Sequence, residues 1–178
     1  TGRSFDDRVG CAALLAAARA LVPQRLKQRV TFAWVTEEEV GLKGSTQYVR
    51  TNRRKGETVI GMVSLEMLGY FTDAPGSQRT PLPRIEGVFE PPTVGDFIGL
   101  GTISSYSKFC RRLDQEMRAT APGLKTVVAD FVPIPPPDFL RSDHAPFMLA
   151  GIPAVLLTDT SNFRNPNYHR ASDTIETI

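Results

Sequence analysis

Glu38 and Glu39 adjoin one another directly after the apolar run Val30-Thr31-Phe32-Ala33-Trp34-Val35, with Gly41 two residues beyond. Two carboxylates at the end of a buried strand repel each other and lose hydration, which raises their pKa values unless a cation compensates. Metal hydrolases put such a pair to divided use: one carboxylate ligates zinc and its neighbour takes a proton from water. Glu66 ends a second apolar segment, residues 59–65. A carboxylate placed there is costly without a partner. His169 stands in a polar loop after the last apolar segment, and Asp6 and Asp7 open an alanine-rich stretch. Each group taken singly has a plainer role. Taken alone, Glu38-Glu39 reads first as a solvated turn and Asp6 and Asp7 as helix caps, whereas Glu66 is harder to dismiss and would need a basic partner.

The elements that must position these groups follow from periodicity. Residues 8–22 carry Val9, Ala12, Ala13, Leu15, Ala16 and Leu21 at helical spacing and stop at Pro23. Residues 29–36 are β-branched and aromatic, which predicts a strand covered on both faces. A helix over 44–54, with Ser45 as its cap, and a strand over 59–65 come next. Residues 70–99 are broken by Pro75, Gly76, Pro81, Pro83, Pro91, Pro92 and Gly95, so a loop is expected there with one short strand near 85–89. An amphipathic helix over 104–120, a strand over 126–132, a proline connector over 133–137, a short helix over 144–150, a strand over 153–158 and a polar loop over 159–172 complete the order. Strands alternating with helices predict a three-layer α/β/α sandwich around a mostly parallel mixed sheet. In such sheets ligands collect at the carboxyl ends of the strands. Asp6, Glu38, Glu39, Glu66 and His169 all fall at those ends or in the adjoining loops.

Five motifs occur in order: Phe5-Asp6-Asp7-Arg8-Val9-Gly10, Thr36-Glu37-Glu38-Glu39-Val40-Gly41, Leu65-Glu66-Met67-Leu68-Gly69, Ser142-Asp143-His144-Ala145-Pro146-Phe147 and Asn165-Pro166-Asn167-Tyr168-His169, with Asp173-Thr174 beyond. In this order and spacing the chain resembles the M28 family of zinc peptidases, which includes aminopeptidases and glutaminyl cyclases; its opening is also similar to M42 aminopeptidases. The resemblance implies the two-sided zinc-peptidase fold and hydrolysis of peptide substrates, with one or two zinc ions per chain. By position, Glu38 matches the general base. Asp6, Glu39, Glu66 and His169 match metal ligands, Asp6 bridging two ions. The resemblance casts Asp7, Asp143, His144, Tyr168 and Asp173 as outer partners of the site or as substrate contacts. Tyr168 is left open between donating to an oxyanion and packing. The family's remaining ligand histidine lies upstream of the bridging aspartate, so residues 1–178 are expected to form one catalytic domain without that segment. A single zinc on Asp6, Glu39 and His169 would resemble the glutaminyl cyclase branch; a catalytically inactive relative is the other alternative.

Composition narrows the classes further. With 178 residues and 41% hydrophobic content, the chain is long enough for one well-filled core. Its 21 basic and 19 acidic residues are spread along it, leaving no electrostatic footprint for nucleic acid. The cluster Arg50, Arg53, Arg54 and Lys55 reads as a solvated helix end. Cys11 and Cys110 are expected as two buried free thiols. No apolar stretch is long enough for a bilayer, and residues 1–3 open no signal peptide. A soluble protein without membrane partners is therefore expected; the family resemblance fits a secreted or periplasmic setting, and compartment and oligomeric state stay open.

Overall fold

The structure, a computed structural model, describes residues 5–177, with side chains from residue 8 onward. Four strands form one mixed sheet in the order β1-β4-β2-β3, made of β1 (Met62–Glu66), β2 (Ile98–Gly101), β3 (Thr126–Ala129) and β4 (Ala154–Thr158). β1 runs parallel to β4 and β2 parallel to β3, while β2 meets β4 antiparallel. The helices are α1 (Phe5–Leu21), α2 (Lys43–Arg54), α3 (Ser107–Thr120) and α4 (His144–Leu149).

Strand alternation assigns the two faces. Val155 and Leu157 of β4 pack with Leu100, Cys110, Phe109, Leu113 and Met117, so α3 covers one side. Ala154 packs with Val49, Phe147 and Met148, so α2 and α4 cover the other. The result is the expected α/β/α layering. α1 approaches β1 closely, because a Cβ on Gly10 would lie 3.1 Å from the Leu65 carbonyl oxygen.

Several expectations need correction. Residues 29–36 form no strand: they run without a ladder partner among the described residues, and Trp34 is half exposed. Strand propensity expresses fitness for a pleated surface, and here no neighbouring edge realises it. β2 was not expected: it straddles the end of the loop assigned to residues 70–99, because Gly99 and Gly101 weaken its local signal. Residues 85–89 make an isolated antiparallel bridge around a turn, with Ile85 and Phe89 exchanging both backbone hydrogen bonds at 2.9 and 2.8 Å. Ser45 does not cap α2; Leu42 is the capping position, in the left-handed region, and the Ser45 hydroxyl donates to the Leu42 carbonyl. Cys11 is exposed, whereas Cys110 is buried as expected. Cys11 faces outward because α1 turns Val9, Gly10, Leu14, Ala18 and Leu21 inward instead.

Candidate active site

A cleft of about 520 Å³ opens on the α2/α4 side of the sheet. Its floor is made by Leu156 and Thr158 of β4, Gly99 and Gly101 of β2, and Val127 and Ala129 of β3. These residues lie directly across from one another in the ladder, Gly99 opposite Thr158 and Val127, Gly101 opposite Leu156 and Ala129. They therefore share one face. Glycine at 99 and 101 keeps the floor low, and the Phe139 ring occupies the space above Gly101: a Cβ there would lie 2.4 Å from Phe139 Cε2.

Glu38, Glu39, Glu66, Tyr168 and His169 all line this cleft. Glu38 and Glu39 sit in a turn that winds into α2, where the Glu38 carbonyl accepts from Gly41 and Leu42 and the Glu37 carbonyl from Lys43. Glu37 and Leu42 are left-handed, at φ 59° and 55°. Met67, directly after Glu66, and His169 are also left-handed, at φ 49° and 56°. Such conformations cost about 1–3 kcal/mol each for non-glycine residues, and they gather where loops aim functional groups. Thr160 and Ser161, in the loop after β4, belong to the same group.

Glu39 and His169 meet directly, Nε2 to Oε1 at 3.0 Å. The His169 ring is fixed by stacking on Tyr168, with centroids 3.9 Å apart and planes 15° from parallel. The Tyr168 hydroxyl accepts a hydrogen bond from Arg141 at 3.3 Å. Burial, partly countered by Arg141, pushes the Tyr168 pKa up, so the phenol stays protonated at neutral pH. Glu66 accepts from the Ser142 hydroxyl at 2.7 Å, and Ser64 Oγ lies 3.4 Å from Ser142 Oγ. The end of β1 is held to β4, since Asp159 N donates to the Met67 carbonyl at 2.8 Å and the Asp159 carboxylate accepts from Tyr70 N at 2.9 Å.

The remaining sequence candidates lie elsewhere. His144 is fully buried in α4, edge-on to Phe139 at 4.7 Å. Desolvation lowers its pKa to about 4, outweighing the opposing effect of the Phe139 backbone, and neither ring nitrogen makes a well-formed hydrogen bond. It is a neutral core histidine. Burial raises the Asp143 pKa, with Ser45 opposing. Asp173 accepts from Asn165 Nδ2 at 3.2 Å, and Asn165 Oδ1 takes the Asn167 backbone N–H at 2.8 Å, so Asp173 shapes the loop that carries His169. None of these three lines the cleft. The side chains of Asp6 and Asp7 lie outside the described residues. Ser142 and Arg141, which touch Glu66 and Tyr168, were not singled out from sequence. Ser142 opens the Ser-Asp-His motif and Arg141 directly precedes it, which was the only signal for either.

The donors present suit a divalent cation. Neighbouring ligands on a tetrahedral zinc ion, with bonds of about 2.1 Å, stand about 3.4 Å apart. The Glu39–His169 pair would need to open by only a few tenths of an ångström. No third His, Cys, Asp or Glu completes the set among the described residues, and Asp6 is the remaining candidate.

The family model described as Peptidase family M28 matches residues 5–178. The chain belongs to peptidase family M28. YfbL of Escherichia coli is 32% identical to this M28 chain over 187 residues, covering 97% of the chain and 53% of YfbL. Leucine aminopeptidase 1 of Metarhizium robertsii is 28% identical, covering 96% of the chain and 40% of its own length. The chain thus spans about half the length, or less, of these relatives. Among solved structures, BSAP, a zinc aminopeptidase from Bacillus subtilis, aligns with a TM-score of 0.63 at 22% identity over 97% of the chain and 37% of its own. LapA of Legionella pneumophila aligns with a TM-score of 0.64 at 22% identity over 94% of the chain and 40% of its own. At that identity these two bear on the M28 fold alone.

Proposed function

We propose that this protein is a zinc-dependent peptidase that cleaves at the free amino terminus of peptides. The observation that carries the reading is the convergence of Glu38, Glu39, Glu66 and His169 on one cleft, with Glu39 and His169 in contact at 3.0 Å. Membership of the M28 family and the aminopeptidase names of several relatives support it.

Glu39, His169 and Asp6 would hold one zinc ion, and Asp6 with Glu66 a second, supplying Lewis-acid polarisation of the scissile carbonyl and of water. Glu38 takes the proton of the attacking water and returns it to the leaving amine nitrogen, acting as base and then as acid. Ser142 holds the Glu66 carboxylate in one orientation, so that negative charge faces the substrate α-ammonium group. The Tyr168 phenol, stacked on His169, donates toward the oxygen on which negative charge develops.

Glu38→Gln removes the proton acceptor while keeping the side-chain shape. Turnover of a leucyl peptide should fall by about 10²–10⁴-fold, with zinc content by elemental analysis unchanged. An undiminished rate would eliminate Glu38 from the mechanism. A glutaminyl peptide assayed in parallel separates the cyclase reading, which would release ammonia and no amino acid.

A further inference from the structure

We propose that Arg141 is a specificity-determining residue that binds the free main-chain carboxylate of short peptide substrates, one residue beyond the scissile bond. The inference rests on the peptidase reading and names the substrate class that this cleft favours.

Two arginines line the cleft, Arg79 and Arg141. Arg79 is committed: its guanidinium donates to the Asn162 carbonyl at 2.9 Å, and its backbone N–H to Phe163 at 2.9 Å. Arg141 has only loose partners. Its Nη2 reaches the Tyr168 hydroxyl at a long 3.3 Å, and its Nη1 lies 3.9 Å from Asp138 Oδ1, an ion pair in which both side chains are more than half exposed. An exposed pair of that length contributes little. A guanidinium carries five donors in a planar fork suited to a carboxylate, and Arg141 lines the cleft with its side chain more than half exposed, so most of its donors have no close acceptor. The other charges in the cleft are mainly acidic, Glu38, Glu39, Glu66 and Asp138. Beyond the zinc ions that the peptidase reading places on Glu39, Glu66 and His169, an anionic substrate group therefore finds compensation only near an arginine.

Position sets which carboxylate it is. The Tyr168 ring stacks on His169 and its hydroxyl touches Arg141, so one phenol separates the guanidinium from the imidazole. That is roughly the span of one extended residue, about 3.5 Å, plus a charge-assisted hydrogen bond of about 2.8 Å. A carbonyl cleaved beside His169 would place the carboxylate of a dipeptide within reach of Arg141. Arg141 also ends the same 3-10 segment, Pro137–Arg141, that sets Phe139 over Gly101 and leads into Ser142. The cation is thus built into the wall that orients Glu66.

The test compares Leu-Leu with Leu-Leu-amide, which differ only in the terminal charge. The wild-type protein loaded with zinc should show kcat/KM at least about tenfold higher for the free acid, the worth of one charged hydrogen bond. Arg141→Met should bring the acid-to-amide ratio close to one, with Arg141→Lys between, because lysine keeps charge without the fork. The ratio within one variant is insensitive to any misfolded fraction. A second arm measures dissociation constants of both compounds by calorimetry on the Glu38→Gln protein, with and without Arg141→Met, and expects the same tenfold difference to vanish. A ratio near one in the wild type, or one that survives Arg141→Met, overturns the proposal. So does a preference for Leu-Glu-amide over Leu-Gln-amide that replaces the terminal one, since it would move recognition to a side chain. If the wild type cleaves neither compound, the peptidase reading fails, and the calorimetric arm still decides Arg141.

Discussion

Gly101→Ala offers a direct probe of how the cleft is built. The added methyl would stand 2.4 Å from Phe139 Cε2 and 3.1 Å from Cζ, whereas carbon atoms rest at about 3.5–4.0 Å. The ring must retreat by about 1 Å. Behind it stands His144, fully buried and edge-on with its centroid 4.7 Å away, so the displacement passes into the core that α4 shares with α2. Overpacking of this kind costs about 2 kcal/mol. Urea unfolding should then shift its midpoint down by about 1 M at an m-value of about 2 kcal/mol/M, and thermal unfolding by about 4–8 °C. Gly123→Ala is the control, since no atom lies within 4 Å of its Cβ position. Adding Phe139→Leu to Gly101→Ala should recover at least about 1 kcal/mol relative to the sum of the single changes. If Gly101→Ala unfolds at the same urea concentration as Gly123→Ala, the contact between β2 and the 3-10 segment does not shape the cleft.

Two further perturbations address the site's supports. Ser142→Ala removes the 2.7 Å hydrogen bond to Glu66 and should weaken zinc binding by about tenfold in chelator competition; an unchanged affinity would show that Glu66 needs no outer partner or binds no metal. His144 gives a pH signature. Its folded pKa of about 4 lies below the usual 6.5, so the unfolded chain takes up the proton first as pH falls. Up to about 3 kcal/mol of stability present above pH 6.5 is lost on approaching pH 4. The raised pKa of Asp143 acts in the opposite direction, so the measurement is the difference in unfolding free energy between wild type and His144→Gln across that window. Parallel curves would contradict a desolvated neutral imidazole.

Particular residues show how far local sequence reaches. α1, α3 and α4 were legible from apolar spacing, β1, β3 and β4 from short apolar runs, because such patterns usually mark a buried face; in α1, however, Ala12, Ala13, Leu15 and Ala16 of that pattern stay exposed, and Gly10, Leu14 and Ala18 turn inward with Val9 and Leu21. Residues 29–36 have the same imprint without a ladder, since a strand exists only when another edge supplies its hydrogen bonds. β2 was illegible for the converse reason. The glycines that conceal it, Gly99 and Gly101, answer to Thr158 and Phe139, which lie 59 and 38 positions further along the chain.

By itself the sequence determined the donor types and their order along the chain, and with them the α/β class and the family, because motif spacing and hydrophobic period are one-dimensional properties. Only the tertiary structure decided which groups meet. It set Glu39 against His169, Ser142 on Glu66 and Arg141 on Tyr168, and it withdrew His144 into the core. Those pairings depend on strand register and on loops in left-handed conformations. Both arise from contacts between segments far apart in the chain, which no local pattern encodes.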